Sequence, residues 1–85
     1  MNKADERTYT VLFEPAEEGG YVVTVPALPG LVTQADTLEE AREMAKDAIL
    51  GYLEALQKDG APIPDDTPLA LEPVKEQIRV VLQPA

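Results

Sequence analysis

The chain is 85 residues long with a formal net charge of −9, and it contains neither cysteine nor histidine. Those facts exclude disulfide support, a structural zinc site and any Ser-His or Cys-His nucleophilic centre, and they leave dense packing or self-association to stabilise one small domain. A polyanion is repelled by nucleic acid and by anionic lipid, so its charge suits a basic partner. The expected partners therefore include neither nucleic acid nor membrane, and no cofactor is expected.

Residues 1–6 are polar, lack the apolar run of a secretory signal, and read as a disordered tail. No stretch approaches the roughly 20 apolar residues that span a membrane, so a cytoplasmic location is expected. From Arg7 onward Tyr9, Val11 and Phe13 alternate with Thr8, Thr10, Leu12 and Glu14, the period of a strand, and Pro15 ends it. A polar loop of about six residues, AEEGG at its heart, leads to a second alternating run at Tyr21–Val25, which Pro26 stops because it has no N–H to donate. Pro29 and Gly30 suit the centre of a type II turn, and Leu31–Ala35 forms a short third strand.

Thr37 and Glu40 form a capping box that opens a helix over 38–58, closed by Gly60. The apolar stripe is Leu38, Ala41, Ala45, Ala48, Ile49, Tyr52 and Leu56, flanked by Met44 and Leu53. The opposite face is charged. Arg42 and Lys46 are expected to pair with Glu39, Glu43 or Asp47 beside them, and Glu54 with Lys58. Leu50 falls among those charges, which makes it a candidate contact for another chain. A proline-rich connector at 60–74 follows, in which Asp65 and Asp66 read as solvated. A fourth strand at 75–83 ends the pattern.

The order strand-strand-strand-helix-strand predicts a single α+β domain over 1–85, an antiparallel sheet with one helix on one face. The position of the last strand is not fixed by the pattern. One helix covers only one face, so Leu12, Val22 and Val81 are expected on the other as an oligomer face. The carboxylates form no recognisable metal loop, and no catalytic residue is expected. Glu17 and Glu18 at the hairpin tip are candidate contacts for a basic partner.

The run from Tyr9 to Ala41, YTVLFEPAEEGGYVVTVPALPGLVTQADTLEEA, resembles the N-terminal domain of HicB-type antitoxins, the HicB-like or UPF0150 family. The shared pattern is a Gly-Tyr pair, P-x-L-P-G, a short strand and an Asp-Thr-apolar-Glu-Glu-Ala helix start. Gly20, Tyr21, Pro26, Leu28, Pro29, Gly30, Asp36, Thr37, Glu39, Glu40 and Ala41 carry it, and the likeness extends over about 7–82. The resemblance implies a partial RNase H-like fold, homo-oligomers, and a non-enzymatic antitoxin that masks HicA, a small basic mRNA-cleaving toxin. Many HicB antitoxins also carry a C-terminal DNA-binding module. The sequence stops after its fourth strand, so the resemblance is to a stand-alone form without one. Glu14, Glu17, Glu18, Asp36 and Leu50 are then the candidate partner contacts. Alternatives on the same scaffold are a degenerate or active metal-dependent nuclease, for which Glu14 and Asp36 are the candidate carboxylates, and an orphan homo-oligomeric binding domain with an unrelated partner.

Overall fold

The computed structural model describes residues 5–67 and 75–85. Strands β1 (Asp5–Pro15), β2 (Tyr21–Thr24) and β3 (Val32–Ala35) precede helix α1 (Leu38–Lys58), and β4 (Lys75–Leu82) follows it. The four strands form one antiparallel sheet in the order β3-β2-β1-β4, so the last strand lies beside the first. The expected α+β architecture is present, and the helix occupies the residues anticipated for it.

The strand limits differ in small ways that have local causes. β1 begins at Asp5, two residues into the expected tail, because β4 is long enough to pair Asp5 with Leu82 and Glu6 with Val81. The rest of that tail, 1–4, lies outside the described residues, as do residues 68–74 of the connector. The hairpin loop has five residues, Ala16–Gly20. It is closed by Gly19 N–H to Ala16 O and Ala16 N–H to Gly20 O, both 3.0 Å. Gly20 has φ +76, and a Cβ there would stand 2.5 Å from the carbonyl oxygen of Ala35. The Gly-Tyr pair thus begins with a glycine because β3 passes over it.

The PALPG segment is two turns in tandem. Leu28 N–H donates to Val25 O at 2.9 Å, and Leu31 N–H donates to Leu28 O at 3.1 Å. Gly30 takes φ +86, as the second turn requires. The shared corner drives Leu28 wholly into the core, while Pro29 and Gly30 stay at the surface. The hydroxyl of Tyr52 donates to Pro29 O at 2.8 Å and ties the loop to the helix. Leu31, expected as the first residue of β3, belongs to this turn, yet it too is buried.

The helix is capped at both ends. Thr37 Oγ1 accepts from Glu40 N–H at 3.1 Å, and Glu40 Oε1 accepts from Asp36 N–H at 2.8 Å. The reciprocal bond reaches one residue beyond the usual box, to the residue before the cap. At the other end Gly60, with φ +72, donates to Gln57 O and Ala61 donates to Leu56 O, a Schellman closure.

The core lies between α1 and the sheet. Tyr9, Val11 and Phe13 from β1, Val23 from β2, and Val80 and Leu82 from β4 meet Ala41, Ala45, Ile49 and Leu53. The buried helix positions recur strictly every four residues. A row of that spacing rotates by about 40° with each step, so the contact line slants across the helix rather than following its axis. That slant corrects two expectations. Leu53, expected only to flank the stripe, is fully buried. Leu50, expected among solvated charges, is half-buried and packs against the core.

Two ion-pair expectations also change. Arg42 pairs with neither neighbouring glutamate. Its Nε donates to both carboxylate oxygens of Glu76 on β4, at 2.7 and 2.8 Å. That hydrogen bond holds the guanidinium above its already high ordinary pKa. Glu54 and Lys58 form no ion pair.

Candidate protein-binding surface

Two clefts open at opposite ends of β1. The first, of about 390 Å³, lies where the hairpin tip meets the helix N-terminus. Glu18, Gly19, Tyr21, Gln34, Ala35, Asp36 and Glu40 line it. Its position follows from local chemistry. The two positive-φ glycines fold the hairpin tip back beside β3, and the Thr37 cap fixes the chain direction into α1. Glu40 is engaged in the cap, whereas the carboxylates of Glu18 and Asp36 have no partner among the described residues. Two unneutralised carboxylates in one concave site can receive a lysine or arginine side chain.

The second cleft, of about 310 Å³, lies between the N-terminal half of β1 and the connector. Glu6, Arg7, Thr8, Tyr9, Pro64, Asp65 and Asp66 line it. Here the acidic residues are engaged with their own chain. Extending the β1–β2 register one rung beyond Leu12 and Thr24 would set Thr10 opposite Pro26. β2 ends at Thr24 and the chain turns away after it, which leaves Thr10 N–H without the carbonyl acceptor that a longer β2 would offer. Asp66 takes over that rung: its Oδ1 accepts from Thr10 N–H and its Oδ2 from Thr10 Oγ1, both at 2.7 Å. On the helix side of the same strand, the Tyr9 hydroxyl donates to Pro64 O. The connector therefore wraps the open edge of β1 from one face to the other. Thr10 is only 2% exposed as a result. Asp66 is thus a clamp and not a solvated residue. The signal for it is that β2 stops short of Thr10, visible only once the register is known. Asp65 is fully exposed and stands 4.0 Å from Arg7.

The remaining candidates scatter. Glu17 is exposed at the hairpin tip, beside the first cleft without lining it. Glu14 faces away from the helix, opposite Val22 on β2. Asp36 lies beyond the end of β3, two strand spacings or about 10 Å away laterally. The structure does not bring Glu14 and Asp36 together. No group of three potential ligands able to hold a metal ion occurs among the described residues.

On the uncovered face, Leu12 pairs with Thr24, which pairs with Val32, and Val22 lies alongside. Leu12 and Val22 are half-buried, and Val32 is 62% exposed. Val32 thus joins Leu12 and Val22 of the expected three. Val81, 39% exposed, lies on the same face but opposite Glu6, six residues and roughly 20 Å along the sheet from the level of Leu12. No helix among the described residues is long and apolar enough to cross a membrane.

This arrangement of sheet, helix and signature loop is the architecture of an antitoxin's N-terminal domain. It superposes on the crystal structure of the N-terminal domain of Burkholderia pseudomallei antitoxin HicB with a TM-score of 0.72. The match covers 84% of this chain and 94% of that one at 21% identity, a likeness of fold. The sequence profile described as HicB_like antitoxin of bacterial toxin-antitoxin system matches residues 9–79, and the chain belongs to that family. Relatives include Antitoxin HicB 1 of Photorhabdus laumondii subsp. laumondii, 43% identical over 85% of this chain and 46% of its own length. Antitoxin HicB of Escherichia coli strain K12 is 43% identical over 72% of this chain and 44% of its own length. A UPF0150 protein of Thermoplasma acidophilum is 50% identical over 68% of this chain and 84% of its own length. The chain thus spans about half the length of these two antitoxins.

Proposed function

We propose that this chain acts without catalysis, as an antitoxin that binds a small basic HicA-type mRNA-cleaving toxin and covers the surface with which that toxin holds RNA. Family membership supports the antitoxin role. The observation that carries the binding mode is the hairpin–helix cleft, where the carboxylates of Glu18 and Asp36 have no partner among the described residues in a chain of net charge −9. An acidic surface competes with RNA for the same basic groups, and it also steers a cationic partner into contact. Glu17 adds to this field from the rim.

The test is co-expression with a HicA-type toxin encoded beside this chain, followed by co-purification and an RNA cleavage assay. The chain is expected to relieve toxicity and to suppress cleavage. The double substitution Glu18→Lys and Asp36→Lys is expected to leave the fold intact and weaken the complex at least tenfold, or about 1.4 kcal/mol. A toxin that kills equally well in the presence of the native chain overturns the role. A complex unaffected by the double reversal overturns the cleft.

A further inference from the structure

β4 is an outermost strand of the sheet, and it is eight residues long with no proline within it. The Asp66 clamp shows which way its backbone points. Thr10 N–H faces the β2 side of β1, so by alternation Arg7, Tyr9 and Val11 bond to β4 through Val80, Ile78 and Glu76. Gln77, Arg79 and Val81 therefore direct their N–H and C=O groups outward. No backbone bond among the described residues reaches them. Long, flat, unpaired edges are templates for pairing with another strand.

We infer that a second copy of this chain occupies that edge, pairing β4 with β4 antiparallel about a two-fold axis through Ile78 to give a continuous eight-stranded sheet. Charge supports this occupant. The segment KEQIRVVL carries two basic residues and one acidic one, whereas β1 and α1 are both net negative. The β4 edge is therefore where two copies of an acidic chain repel each other least, and it is poorly suited to a basic toxin. Charge also selects the register. An axis at Arg79 would set arginine against arginine, and an axis at Gln77 would set Arg79 against Lys75. An axis at Ile78 sets Gln77 against Arg79 and Lys75 against Val81. It further covers Ile78, which is half-buried in the single chain, whereas an axis at Val80 would cover a residue that is already 1% exposed. β3, the other edge, has only four residues between a Pro-Gly turn and the helix start.

The absence of native cysteine makes the test direct. Ile78 would face its twin as a non-hydrogen-bonded pair, with Cα atoms about 4.5 Å apart and within disulfide range. The full chain is expected to sediment as a dimer. Ile78→Cys is expected to oxidise to a covalent dimer, and Val32→Cys on β3 is not. Arg79→Pro removes an outward N–H without touching the backbone bonds to β1, and it also removes the exposed ion pair of Arg79 with Glu6. It is expected to raise the dimer dissociation constant at least tenfold while circular dichroism is retained. A native chain that stays monomeric to millimolar concentration overturns the inference. So does cross-linking through Val32→Cys but not Ile78→Cys, or a folded Arg79→Pro variant that dimerises undiminished. No toxin enters the experiment, so its outcome is independent of the antitoxin assignment.

Discussion

The two clefts at the ends of β1 are both rich in carboxylates, yet they do opposite things. At the connector end Asp66 is turned inward onto the backbone of Thr10, supplying the acceptor that β2, ending at Thr24, does not. At the hairpin end the carboxylates of Glu18 and Asp36 line a cleft and have no partner among the described residues. Acidic composition alone therefore predicts neither role. What separates them is whether a backbone N–H lies unpaired within reach. One end is a structural joint, and the other is left available for recognition.

That contrast can be broken by substitution. Asp66→Ala should have the largest effect, because it orphans the buried Thr10 N–H and hydroxyl. We expect a loss of about 3 kcal/mol, visible in urea titration, and a melting temperature lower by roughly 10–20 °C. Unchanged stability would mean that the clamp is ornamental. At the other end Thr37→Ala removes only the cap and should cost about 1 kcal/mol by the same titration. Glu18→Ala and Asp36→Ala should each leave stability within about 0.5 kcal/mol of the native chain while weakening capture of a basic partner in a titration calorimeter. If either destabilised the chain as Asp66→Ala does, the distinction between joint and recognition site would fall. The smallest effect is expected from Arg42→Ala, whose ion pair with Glu76 is exposed. Its melting curve should differ from the native one only at low salt, and the difference should vanish as salt is raised.

What was legible in the sequence was local. Thr37 with Glu40, Pro29 with Gly30, and Gly60 each act within a few residues, so their spacing sufficed to place the helix and the turn. The alternation in β1 and β4 gave the strands but not their adjacency, because Tyr9 and Ile78 meet across nearly the whole chain. Asp66 was illegible for the same reason, since it acts on a residue 56 positions away. Leu50 and Leu53 were misplaced because a helical wheel assumes a contact line parallel to the helix axis, whereas this helix buries a slanted row. In the candidate site, Glu18 and Asp36 were legible as charges at an exposed tip and a helix start. That they share a cleft depends on Gly20 letting β3 pass close by.

The pairing of Asp5 with Leu82 carries a consequence for biosynthesis. β1 is an inner strand of the finished sheet, but one of its two neighbours, β4, is made after the other four elements. Until β4 emerges, β1 has β2 along only its C-terminal third, and most of its length is unsatisfied. Contacts of such wide sequence separation form slowly, and open edges in waiting chains invite wrong partners. The connector is made before β4, so the Asp66 clamp can shield one edge of the nascent strand while the other awaits its complement.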